Sequence, residues 1–212
     1  MIPENLNVMF MFTTIAVALI TAIFGPMIVS WFKLKLENKK KINPISEAIE
    51  INTLIEEQLD DIMEEISCNR TWIAQFHNGG HFYPTGKCIQ KFSIFYEKLS
   101  PESIPIINIY QNIPVSFFSK ALSEVYENGE LRIFSFDEGN ETYNMENFTS
   151  RVLNTKSFYL LAIDDLEGKF IGVLSISFDR KEHILTEKEW IYLRHKVGII
   201  GALLSKYLKV KK

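Results

Sequence analysis

Residues 157–178 read SFYLLAIDDLEGKFIGVLSISF. Two apolar runs, 157–165 and 169–178, flank Leu166-Glu167-Gly168. A Gly-bearing acidic turn between runs rich in aromatic and β-branched residues predicts an antiparallel hairpin. Strict alternation places Phe170, Gly172, Leu174, Ile176 and Phe178 on one face of the second strand. Ile171, Val173, Ser175 and Ser177 fall on the other. Neither face is polar throughout, so the sheet needs cover on at least part of both sides.

A helix follows. Thr186 and Glu189 have the spacing of a capping box, with Leu185 and Trp190 at the staple positions. An apolar stripe then runs through Trp190, Leu193, Val197, Ile200, Leu204, Tyr207 and Leu208. Upstream, residues 70–77 alternate as a strand and run into Asn78-Gly79-Gly80. Residues 88–97 predict a second strand, 115–127 a helix stopping at Asn128-Gly129, and 131–136 a third strand. A polar loop over 137–147 and a short helix over 148–153 complete the body, 68–212.

Before it, residues 44–67 carry a helical stalk. Ile45, Asn52, Leu59 and Ile66 recur every seven residues, as do Ala48, Ile55 and Ile62. That is a coiled-coil seam, and Asn at such a position sets register in two-stranded coils. Ile49, Ile51, Leu54 and Met63 widen the stripe, so packing of the helix on its own domain stays open as an alternative. The stalk carries eight acids and no base, whereas the last helix is basic. The two expectations combine in a homodimer through the first and last helices, using Ile45, Asn52, Ile55, Leu59, Ile62, Val197, Ile200 and Leu204.

No charged side chain lies between Asn5 and Phe32. The 25 residues 8–32 would rise roughly 37 Å as a helix, enough to cross a bilayer. Gly25-Pro26 is tolerable in a membrane helix, and Trp31-Phe32 suit its interface. Lys33, Lys35, Lys39, Lys40 and Lys41 follow in a basic linker, 33–43, while the tail 1–7 holds only Glu4. The positive-inside rule puts the linker and body in the cytosol and the N-terminus outside, in a single-pass protein of the inner membrane. A cleaved signal peptide would carry its bases ahead of a shorter apolar run.

Composition excludes several classes. The chain has 212 residues, with 23 basic and 26 acidic side chains for a net charge of −3, unlike a generally basic nucleic-acid binder. Two cysteines, Cys68 and Cys88, exclude a disulfide scaffold and a four-cysteine zinc site. His77 and His81 are spaced as a ligand pair, but the spacing crosses Asn78-Gly79-Gly80 with no third ligand nearby, so no metal is assigned. Asp164 and Asp165 alternate apart at a hairpin end. No phosphate loop, nucleophile elbow or zinc-protease motif occurs. With no catalytic set, the expectation is a protein without enzymatic activity.

The order helix, two strands, helix, strand, hairpin, helix resembles a GAF domain. The likeness is strongest over 70–95 and 157–208, where Phe170-Ile171-Gly172-Val173-Leu174 and Leu185-Thr186-Glu187-Lys188-Glu189 look like the GAF ending. The stretch Phe76-His77-Asn78-Gly79 with Tyr83, Gly86 and Lys91-Phe92-Ser93 is similar to small membrane-anchored GAF-like proteins of tailed phages. The resemblance implies an α+β fold, an antiparallel sheet flanked by N- and C-terminal helices, serving as a sensory or protein-docking module. The load of aromatics places a small-molecule site between sheet and loop, expected at Phe76, His77, Asn78, Tyr83, Lys91, Ser93 and Tyr96, with Phe92 and Phe134 as further lining, and a filled pocket with no ligand is the alternative. The cyclic-nucleotide signature of the family is not found. Neither Cys68 nor Cys88 sits where bilin-binding members attach their chromophore, and only His77 could serve as a haem ligand. The cofactor is therefore left unassigned. The alternative is a phage-encoded membrane protein that acts on a host component and has no small-molecule ligand.

Overall fold

The computed structural model describes residues 14, 17, 22, 24–31, 44–134 and 153–208. The chain divides into two units, residues 1–46 and 47–212. In the first, residues 24–31 are helical, with Gly25-Pro26 inside the helix. Phe24, Met27, Ile28, Val29 and Trp31 are all more than half exposed. Among the described residues no helix is long and apolar enough to cross a membrane. Most of the predicted span 8–32 and the linker 33–43 lie outside the described residues, as do the loop 137–147 and all of the short helix 148–153 except Leu153.

The second unit is built on a six-stranded sheet: β1 (Arg70–His81), β2 (Cys88–Leu99), β3 (Ile113–Pro114), β4 (Glu130–Phe134), β5 (Ser157–Asp164) and β6 (Phe170–Phe178), in the order β3-β2-β1-β6-β5-β4. Every neighbouring pair is antiparallel. The central pair, β1 and β6, comes from opposite ends of the domain. Helices α1 (Pro44–Ile66) and α3 (Glu187–Leu208) cover one face. The other is covered by the connection 100–112, a 3-10 turn (Val115–Phe118) and α2 (Ser119–Asn128). The helix predicted over 115–127 is thus split into these two pieces. It ends as expected: Gly129 takes φ 78°, and its N–H donates to the Val125 carbonyl at 2.8 Å.

On the first face Ile51, Ile55, Leu59, Ile62 and Ile66 of α1 meet Leu193, Ile200 and Leu204 of α3 over Tyr159, Ile163, Leu174 and Ile176. The buried positions of α1 advance by four, four, three and four, the stripe of a helix lying on its own core. This corrects the coiled-coil expectation. Ile55, Leu59, Ile62, Ile200 and Leu204 are each 0% exposed within a single chain, so none is available to a partner. Val197 is half-buried against the same core, and Asn52 accepts a hydrogen bond from the Tyr96 hydroxyl at 2.6 Å. Only Ile45 of the proposed set stands exposed.

The capping box is formed. The Thr186 N–H and hydroxyl donate to Glu189 Oε2, and the Glu189 N–H donates back to Thr186 Oγ1. Leu185 and Trp190 are both buried. The alternation read for β6 holds from Val173 onward and fails before it. Asp164 pairs with Phe170 and Ile163 with Gly172, so Ile171 is the extra residue of a bulge. Phe170 consequently packs on the α2 side and Ile171 on the other. A second bulge, at Phe95, lets Ile73 pair with Tyr96 and Ala74 with Ile94.

Two predictions follow from this packing. A Cβ on Gly201 would lie 2.2 Å from the Asp164 carbonyl oxygen, whereas one on Gly198 would meet nothing within 4 Å. Gly201→Ala should destabilise by about 1–3 kcal/mol and Gly198→Ala should stabilise by roughly 0.5–1 kcal/mol, read from urea midpoints at unchanged slope. The second prediction concerns alkaline stability. Burial pushes the Cys68 thiol up from 9.0 to about 12 and the Tyr96 hydroxyl up from 10.0 to about 12. The unfolded chain loses these protons first, so the stability they confer is complete below pH 9 and is lost as pH rises towards 12. Cys68→Ala should flatten that decline, and a thiol reagent should label exposed Cys88 in the native chain but Cys68 only after unfolding.

Candidate ligand pocket

Three cross-strand rows floor the second face of the sheet: Arg70, Ser177 and Phe158; Trp72, Ser175 and Leu160; Ala74, Val173 and Ala162. The central strand contributes only Val173, Ser175 and Ser177 here, against Leu174, Ile176 and Phe178 on the opposite face. Small floor residues under a roof of Ile106, Tyr110, Phe118, Leu122 and Leu153 leave a cavity of about 60 Å³. Its walls are mostly apolar, with Arg70, Thr155 and Ser177 as the polar groups of note. The Ser177 and Ser175 hydroxyls and Arg70 Nε are buried without a hydrogen-bond partner among the described residues. An unpaired buried polar atom costs about 1–3 kcal/mol.

Arg70, 1% exposed, ends this floor. Its Nη2 donates to the Ile104 carbonyl at 2.8 Å. Its Nε lies 3.5 Å from Glu97 Oε1, and its Nη2 lies 3.7 Å from Asp179 Oδ2. The Glu97 carboxylate also accepts the N–H groups of Ile106 and Ile107 at 3.0–3.1 Å. Asp179 accepts the hydroxyls of Ser103 at 3.0 Å and Thr155 at 3.2 Å. One cation among two carboxylates thus clamps the connection 100–112 and the start of β5 against the sheet. No sequence signal beyond a charge opening an apolar strand marked Arg70, whereas Ser175 and Ser177 were visible as small polar residues in an apolar run.

An open groove of about 640 Å³ adjoins this cavity, with Leu122 lining both. It forms where β1 outruns β6: their pairing stops at Gln75–Gly172, and beyond that point the strands part. Phe76, His77 and Asn78 line one wall, Lys169, Phe170 and Ile171 the other, and Ser119, Ser123 and Tyr126 of α2 the roof. Phe76 meets Phe170 edge-on at 4.8 Å, and Phe170 meets Tyr126 at 5.8 Å.

The structure thus brings Phe76, His77 and Asn78 to the groove. Ser93 is buried, with its hydroxyl 2.9 Å from His77 Nε2, and also accepts the Asn112 N–H. The Lys91 stem lies across Gly79, where a Cβ would come within 2.4 Å of it. The remaining expectations need correction. Tyr83 is 98% exposed beyond the tip of β1. Tyr96 and Phe134 pack against the α1–α3 core, on the far side of the sheet. The Phe95 bulge explains Tyr96, since a one-residue slip exchanges faces. Phe92 packs on the pocket side as expected. His81 Nδ1 approaches Cys88 Sγ at 3.6 Å. Among the described residues no group of three or more His, Cys, Asp or Glu is placed to hold a metal.

No family model matches this chain, and no curated protein matches it. Solved structures do. A far-red cyanobacteriochrome photoreceptor aligns with a TM-score of 0.57 at 16% identity, over 83% of this chain and 100% of its own. The blue-light-absorbing PixJ GAF domain of Thermosynechococcus elongatus aligns at 0.59 and 14% identity, over 76% and 88%. A GAF domain/HD domain protein of Geobacter sulfurreducens aligns at 0.56 and 10% identity, over 74% and 93%. At such identities the likeness is one of architecture, and the fold of this chain is that of a GAF domain.

Proposed function

We propose that the chain is a non-catalytic sensory or protein-docking module, held at the inner face of a membrane by residues 8–32 with its GAF-like domain in the cytosol. The observation that carries the sensory reading is the contrast between the faces of the sheet. One is sealed by α1 and α3, and the other holds a cavity and a groove in a fold shared with light-sensing receptors. Another such receptor binds biliverdin. A tetrapyrrole does not fit the cavity here, since drug-sized ligands occupy roughly 300–1,000 Å³. Cys68 packs on the sealed face and Cys88 opens β2 at the surface, so neither offers an attachment point in the cavity. The non-catalytic reading is supported by Arg70, whose charge is already matched by Glu97 and Asp179.

The anchor is supported by Met27, Ile28 and Val29. Three successive apolar side chains, each more than half exposed, turn through about 200° of the helix and give it a broad apolar face that suits lipid better than water. Self-association, if through the helical layer, would have to use the outer faces of α1 and α3, where Ile49, Ile191 and Tyr207 are exposed.

Three measurements test this reading. Reporter fusions at Lys212 should be active on the cytosolic side, and the chain should resist carbonate extraction; a reporter active outside would contradict the orientation. A panel of nucleotides, metabolites and small aromatics should contain a compound that raises the thermal midpoint by mass action, up to about 2.7 kcal/mol at a hundredfold excess over Kd. No shift anywhere in the panel would contradict the sensory role. Ile191→Asp should shift sedimentation of the full chain towards the monomer, and an unchanged profile would contradict association through α3.

A further inference from the structure

The cavity between Phe92 of the sheet and Phe118 above it is lined mostly by apolar groups, but among the described residues its polar end has no hydrogen-bond partner. Ser177 is 2% exposed, lines the cavity, and has no partner for its hydroxyl. Arg70 also lines it, and Arg70 Nε likewise has none, because Glu97 Oε1 at 3.5 Å is out of hydrogen-bond geometry. The two residues pair across β1 and β6 in one row of the floor. A donor and a hydroxyl side by side, both buried, form a docking point for one hydrogen-bonding head.

The charge at this end settles what kind of head. Arg70 contributes one positive charge, and Glu97 and Asp179 contribute two negative charges. The sum is −1, so a carboxylate or phosphate entering here would meet net repulsion. A cation would have to leave water for walls built of Trp72, Phe92, Phe118, Leu122, Phe158 and Val173. A neutral hydroxyl or carbonyl meets neither cost, since it can accept from Arg70 Nε–H and share a hydrogen bond with Ser177.

Volume sets the size. At roughly 10–15 Å³ per water on this measure, a cavity of about 60 Å³ has room for four or five waters. Their liquid volume, about 130 Å³, is that of a molecule with roughly seven non-hydrogen atoms. We propose that this cavity binds a small neutral amphiphile, such as a phenol, cyclic alcohol or lactam. Its apolar body lies among Phe92, Phe118, Leu122 and Val173, and its single polar head sits at Ser177 and Arg70. The inference deepens the sensory reading of this face by naming the class of compound sensed.

Phenol, toluene and pivalate separate the terms, each having seven non-hydrogen atoms but differing in head and charge. The full chain in phospholipid nanodiscs is titrated with each, and binding is read from the Ala74 methyl resonance on the cavity floor. Phenol should shift this resonance saturably, toluene should bind about tenfold more weakly, as expected for loss of one net hydrogen bond, and pivalate should not bind. Ser177→Ala should bring phenol to the level of toluene. No saturable shift with phenol, equal binding of toluene, or binding of pivalate would overturn the proposal without recourse to any variant, as would unchanged phenol affinity in a folded Ser177→Ala. Saturable phenol binding that leaves sedimentation of the full chain unchanged upholds the site and removes the sensory reading alone.

Discussion

The pairing of Arg70–Gln75 in β1 with Gly172–Ser177 in β6 is the constraint on which the rest of the domain depends. It joins strands about a hundred residues apart and sits in the middle of the sheet, with β2 and β3 on one side and β5 and β4 on the other. Such a contact has a large loop-closure cost, so its faces must be rich enough in burial to repay it. They are, but unequally. Leu174, Ile176 and Phe178 fill one side, whereas Val173, Ser175 and Ser177 leave room on the other. From this asymmetry come both the closed core beneath α1 and α3 and the cavity beneath α2.

What was legible in the sequence was local. The 157–178 hairpin, the Thr186–Glu189 capping box and the Gly129 helix stop each depend on residues within a few positions of one another, and each formed as read. What was not legible depends on insertion or partnership. The bulges at Ile171 and Phe95 add one residue to a strand without altering its composition, yet they exchange the faces of everything beyond. Phe170 reached the pocket and Tyr96 left it for that reason. The stalk illustrates the partner problem. Periods of 3.5 and 3.6 diverge by little over three heptads, and the domain's own sheet took up the stripe.

The pocket was half visible. Phe76, His77 and Asn78 lie in the groove because β1 outruns β6, and the turn read at Asn78-Gly79-Gly80 is strand instead, continuing to His81. Arg70 was not anticipated, because its role depends on Glu97 and Asp179, which meet it only once β2 and the end of β6 are in place. Buried ion pairs of this kind add little net stability but tolerate the loss of a partner poorly. Their contribution is positional: Arg70 holds the 100–112 connection over the cavity and leaves one donor, Nε, without a hydrogen-bond partner among the described residues. The structure therefore gives the two faces different work. The sealed face carries α1 and α3, and the open face has room for a ligand.

Xenon equilibration followed by methyl NMR tests this asymmetry most directly, because xenon enters apolar cavities without regard to chemistry. Methyl shifts confined to Ala74, Leu122, Leu160 and Val173, with Ile55, Ile62, Leu193 and Leu204 unmoved, are the result expected. Shifts on the α1–α3 side, or on neither side, would contradict the division of the sheet into a closed face and a receptive one.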